Sequence, residues 1–264
     1  TLHLLALQGE ADQPPVYTKT WYHTGALYES GAITQQYISE YFNDPKAFLL
    51  PDTTLPDSIS STEQREACRA LRGHILRQEV YAQDGSDVEA VPYTVAEKSY
   101  AIRMLQPKGS NPHAVFHVTD YDAFMFSYER SINNPRITRQ MTLQTDNWGN
   151  VTKAATVSYM SRTTNHQVIE QNKVLIKYDE NSFINQPSNP LYYRIGVPYE
   201  QKSYELHNSG FAAAFFTHQA LLTWINSAAT ISHHATVGTA AVKRLLSHKK
   251  TFFYNTACSE RLAL

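Results

Sequence analysis

The sequence predicts a mainly β protein, built from antiparallel strands and hairpins with two short helices. Three observations lead there. Tyr and Phe number 17 and 11 among 264 residues. With Val, Ile and Thr they gather in short stretches bounded by Asn, Asp, Gly and Pro, the usual arrangement of strand formers between turn formers. Several of those stretches alternate apolar and polar side chains, which is the period of a strand with one buried face. Finally, the run DNWGN at 146–150 sits between two such stretches and has the composition of a hairpin loop.

The elements follow in order. Residues 1–7, TLHLLAL, lack a basic leader and an initiating Met, and their apolar run ends by Gln8; they read as a strand of a longer protein, not as a signal peptide. A first helix starts at the capping-box pattern Ser61-Thr-Glu-Gln64, with Ser61 serving the amide of Gln64, and carries Ala67 and Leu71 on a short apolar stripe. Gly73 ends it, because glycine takes a left-handed cap at little cost, and 74–81 resumes as a strand. In 99–105, Tyr100, Ile102 and Met104 share a face. A turn-rich 106–112 then leads into a strand at 114–118, which makes a hairpin. Phe124, Phe126 and Tyr128 alternate next, and later Val174, Ile176 and Tyr178.

The sharpest local signal lies in 139–159. Asp146 suits the first position of a type I turn, and Gly149 suits the left-handed position that closes a three-residue loop. With Asp146 and Asn150 bracketing the loop, Met141 falls opposite Ala155 and Leu143 opposite Lys153. Gln140, Thr142, Gln144, Thr152 and Thr156 then form a polar second face. A second helix falls within 217–229, where Leu221, Trp224 and Ile225 keep helical spacing, and 242–254 returns to strand composition. No repeat at a fixed period divides the chain. The polar stretch 161–166 marks a boundary between a β region at 1–160 and a continuing segment with one helix at 161–264.

Charge identifies no ligand. Twenty-three basic against 24 acidic residues leave a net charge of -1, so no basic field collects nucleic acid or an anionic membrane. No apolar run reaches the 18 or so residues a membrane helix needs. Cys68 and Cys258 are expected to be free thiols. Eleven histidines include no pair with the spacing of a helical zinc site, and neither a metal nor a cofactor is expected. His23 reads as a polar residue packed beside a turn. Glu63 and Glu66, near Ser61 and Thr62, superficially suggest an ADP-ribosyltransferase-type toxin. The acids are three apart on a helix, however, where a Glu-x-Glu pair is two apart, and the first turn of a helix favours acids without catalysis. No nucleophile elbow, phosphate loop or dinucleotide fingerprint is present, so no catalytic residue is named. Asn150-Val-Thr152 matches a glycosylation acceptor but falls inside the hairpin. Trp21, Trp148 and Trp224 keep a carbohydrate- or protein-binding β module open as the main alternative.

Four runs carry an identity: KTWYHTGA at 19–26, EACRALRG at 66–73, LRQEVY at 76–81 and DNWGNV at 146–151. Together they resemble the B component of bacterial insecticidal toxin complexes, over about 17–254, and the likeness continues through YDENSFIN at 178–185 and YRIGVPYE at 193–200. The turn at 146–151 is similar to that of Rhs or YD repeats. GFAAAFF at 210–216 departs from the family's more polar connection. The resemblance implies the middle to C-terminal part of B, past its propeller, and a segment of an Rhs-type β-shell. It implies a structural part of a hollow shell that encloses a cytotoxic polypeptide for delivery to host cells. The implied partners are the C component, the enclosed polypeptide and, through other parts of the full-length protein, the A component. The implied location is extracellular after a cytoplasmic stage. The family's self-cleaving aspartates belong to the C component and have no counterpart here.

Overall fold

The computed structural model describes residues 14–27, 32–34, 36–163, 169–188, 190, 193–211, 215–255 and 257–262. The strand expected at 1–7 lies outside them. Among the described residues the order is β1 (Val16–Tyr22), α1 (Ser61–Ala70), β2 (Ile75–Ala82), β3 (Thr94–Gln106), β4 (Val115–Ser127), β5 (Arg136–Thr145), β6 (Val151–Ser158), β7 (Leu175–Gln186), β8 (Arg194–His207), α2 (His218–Ser227), β9 (Ala229–Ile231) and β10 (Val242–Lys250), with two short 3-10 turns. The strands form one sheet in the order β1-β2-β3-β4-β5-β6-β7-β8-β10-β9. Every pairing is antiparallel except β9 with β10. Each strand from β1 to β7 pairs with the next in sequence, as consecutive strands usually do, and β8 pairs with β10.

Alternation builds two cores on opposite faces of this sheet. On β3 the odd position Val95 faces Phe126 across the ladder, while the even positions Tyr100 and Ile102 point the other way. Val95, Phe124, Phe126, Ile137, Met141, Val157, Ile176 and Tyr178 join the larger core, where Leu221 and Ile225 of α2 cover them. Tyr100 and Ile102 join the smaller one, where Ala67, Cys68 and Leu71 of α1 cover them. The hinge between the cores is a bulge in β4. Ser99 pairs with Asp122 and Tyr100 with Asp120, which leaves Tyr121 as the extra residue. A bulge shifts every later side chain to the opposite face. Phe116 and Val118 therefore pack on the α1 side, and Phe124 and Phe126 on the α2 side. The strands expected at 114–118 and around 124–128 are one 13-residue strand.

Two local expectations are corrected. Ser60, not Ser61, caps α1: its backbone is extended, its hydroxyl accepts from the Glu63 amide, and the Glu63 carboxylate accepts from the Ser60 amide at 3.0 Å. Ser61 is the first helical residue, and the Gln64 amide donates to the Ser60 carbonyl at 2.8 Å. A charged carboxylate in the positive first turn closes the box better than the neutral amide of Gln64. The helix itself ends at Ala70, with Leu71 as its C-cap, and Gly73 follows at φ +84°. In the 139–159 hairpin Met141 does pair with Ala155, but Gln144 rather than Leu143 faces Lys153. A bulge leaves Leu143 without a ladder partner and lets it stay in the core, 8% exposed.

Candidate functional site

Two of the distinctive runs meet in space. The segment after β1 crosses the C-terminal end of α1: the His23 amide donates to the His74 carbonyl at 2.9 Å, and the Gly73 amide donates to the His23 carbonyl at 2.9 Å. Gly25, at φ +82°, lies so close that an added Cβ would meet Arg72 Cβ at 3.1 Å and Arg69 Cα at 3.3 Å. The glycine is thus required by the approach of α1 as well as by its own backbone. His23 is 3% exposed, its ring edge-on to Tyr100, and neither ring nitrogen has a partner among the described residues. Burial, followed by the charge of His74, pushes its pKa down to about 4.

The third run forms a rigid knob. The Asp146 amide donates to the Asn150 carbonyl at 2.9 Å, and Gly149 closes the loop at φ +84°. The Asp146 carboxylate accepts from the amides of Trp148 and Asn150 and from the side-chain amides of Asn150 and Asn185, each at 2.9 Å. Burial works against its charge, yet the bonds led by Asn150 hold the carboxyl below its usual range. Two neighbouring hairpins grip the knob. Arg103 of β3 donates to the Asn147 carbonyl at 2.9 Å, and Asn185 of β7, which holds Asp146, also accepts from the Gly196 amide of β8 at 2.8 Å. The Asn150 side chain is thereby engaged within the loop.

Glu63 and Glu66 have structural partners. Besides capping α1, Glu63 accepts from the Lys108 amide at 3.0 Å, and Glu66 accepts from the Ala114 amide at 2.9 Å and lies 2.8 Å from His113. These bonds tie α1 to the β3–β4 turn and hold both carboxyls below their usual range. The tryptophans lie on three elements. Trp21 donates to Glu40 and packs edge-on to Tyr41, Trp224 packs against the larger core, and Trp148 is 45% exposed on the knob. Cys68 is buried and Cys258 exposed, both as free thiols. Among the described residues no three metal-ligating side chains gather, and no helix is long and apolar enough to cross a membrane.

Sequence reasoning missed a line of ionic groups under the α2-covered face. Arg139 and Asp122 pair with no exposure, and Arg139 also donates to the Phe216 carbonyl at 2.7 Å. His218 of α2 stacks on Tyr121 at 3.9 Å between centroids. Arg77 bridges Glu79 and Glu97. The signal was present in the alternation, since Arg139 stands between the inward Ile137 and Met141, and Arg77 and Glu79 share the inward parity of β2.

Fold and surfaces together define a class: an open, single-sheet β segment with distinct cores on its two faces. The fold is shared with solved structures. TcdB2-TccC3 without its hypervariable C-terminal region superposes with a TM-score of 0.73 at 22% identity, covering 95% of this chain and 12% of that one. The TcdB2-TccC3-Cdc42 structure gives 0.70 at 24%, covering 92% and 12%. The Photorhabdus luminescens Tc holotoxin pore gives 0.70 at 21%, covering 94% and 12%. The chain thus spans 12% of the length of each. No curated protein matches it. The insecticide toxin TcdB middle/C-terminal region matches residues 66–197, half of the 264, and the chain belongs to that family.

Proposed function

We propose that this chain is a wall segment of a toxin-complex B component, part of a hollow shell that encloses a cytotoxic polypeptide for delivery to host cells. It acts by enclosure and not by catalysis. The C component completes the shell, other parts of the full-length B protein meet the A component, and the assembly works outside the producing cell after a cytoplasmic stage. The observation that carries this reading is the open sheet. Among the described residues, strand β1 has a ladder partner on one side only, and β10 pairs with β9 only over Val242 to Arg244. An unpaired strand edge is a ready template for pairing with further chain, which neighbouring parts of a shell wall would supply. Presence of TccC3 alongside TcdB2 in the similar structures supports the choice of partner.

The test uses the full-length B protein assembled with its C component. Val157, fully buried at the centre of the sheet, is replaced by Asp. The variant is expected to leave the enclosed polypeptide open to protease while A-component binding persists. Undiminished protection, with hydrogen exchange showing that this sheet has opened, would remove the segment from the wall.

A further inference from the structure

A cavity of about 220 Å³ lies between segment 34–50 and strands β2 to β4. Aromatic rings of Tyr41, Phe42, Phe48, Phe126 and Tyr128 line it, and the exposed side chains of Ile38 and Leu49 stand around it. Arg77 and Glu97 supply charge to its lining. Glu79, fully buried beside them, is saturated: it accepts from Arg77 Nε at 2.6 Å, the Tyr81 hydroxyl at 2.6 Å and the Phe42 amide at 2.8 Å. Among the described residues Glu97 accepts from Arg77 alone. Asp44, also in the lining, is matched by Arg162 at 2.8 Å.

The charges do not cancel. Three carboxylates, Glu79, Glu97 and Asp44, face two guanidiniums, Arg77 and Arg162. The remainder falls on Glu97, whose carboxyl is pushed up by burial against the pull of Arg77. A carboxylate only 16% exposed and short of a counter-charge is costly, and aromatic rings beside it favour a cation, as the Arg77 guanidinium 4.7 Å from the Tyr41 ring centroid illustrates. At this volume it is below the ~300 Å³ at which ordinary ligand pockets begin, and suits one short stem.

We propose that this cavity is a binding site for a primary ammonium on an aliphatic stem, with the ammonium at Glu97 and the stem among the rings. The site is independent of the shell reading. The same chemistry has two sources, a lysine side chain of a neighbouring polypeptide or a free alkylamine.

Titration calorimetry on the full chain tests it, with n-butylammonium as the free amine, N-acetyl-lysine methylamide as the side chain in peptide form, and 1-butanol as the neutral control. At least one amine is expected to bind ten times or more tighter than the alcohol. Glu97→Gln should weaken that binding at least tenfold, since the amide keeps an acceptor for Arg77 but loses the charge. Ala47→Trp, at an exposed position of the lining, should block binding with an unchanged melting temperature. Tighter binding of the lysine derivative would identify a polypeptide as the source, and tighter binding of butylammonium a free amine. Equal affinity for 1-butanol, undiminished binding by folded Glu97→Gln, or no binding of either amine would overturn the proposal.

Discussion

Arg139 of β5 clasps the carboxylate of Asp122 on β4 through its Nε, 2.8 Å from Oδ1, and through its Nη2, with both side chains sealed from solvent. The guanidinium also lies 4.2 Å from the Phe215 ring centroid and holds the Phe216 carbonyl. The pair therefore fastens the segment leading into α2 to the middle of the sheet.

Breaking one side of that pair should be far worse than removing both. Asp122→Ala leaves a buried cation without a partner and is expected to cost about 3 to 5 kcal/mol. Joining it with Arg139→Met should recover at least half of the loss, because an apolar pair needs no counter-charge. Urea unfolding midpoints of the single and double variants decide it, and additive losses would refute the account.

At the knob, Gly149→Val is expected to destabilise the fold by about 2 kcal/mol or more, for two separable reasons. The residue sits at φ +84°, and an added Cβ would come within 2.6 Å of the His117 ring. His117→Ala in the Gly149→Ala background should relieve the second and leave the first. Thermal melts of the single and double variants measure the two parts.

Stability should fall with acid through His23. Its folded pKa lies near 4 against an ordinary 6.5, so between those values the unfolded chain takes up a proton that the folded chain refuses. The stabilisation is complete above pH 6.5 and declines as pH falls toward 4. His23→Phe removes this dependence. The stability of wild type relative to the variant should fall by about 2 kcal/mol from pH 7 to pH 4.5. A difference that stays constant with pH would show that the ring finds a partner in solution.

The position of the α1 cap gives a direct comparison. Ser60→Ala should cost about 1 kcal/mol, while Ser61→Ala, at the first helical residue, should stay within about 0.5 kcal/mol. The reverse order in urea unfolding would restore Ser61 as the cap.

What was legible in the sequence was local. Alternation gave the strand character of 99–105 and 124–128, and turn chemistry located the loop of Asp146 and Gly149, because both depend on neighbours in sequence. The places that failed depend on a partner strand. Tyr121 and Leu143 look like ordinary strand residues, and only the register across the ladder makes each a bulge. The choice between Ser60 and Ser61 turned on which acid, Glu63 or none, could reach back. Asp122 gave no sign of its role until Arg139 lay beside it. The meeting of Gly25 with α1 joins residues more than forty apart, which no local pattern reports.

The bulge at Tyr121 also makes β4 common property. Its first half supplies Phe116 and Val118 to one core and its second half supplies Phe124 and Phe126 to the other. Neither core can open without withdrawing a strand that the other is built on. Amides beneath α1 and beneath α2 are then expected to exchange with solvent in a single event, and a force applied to one helix to be carried through the sheet to the opposite side.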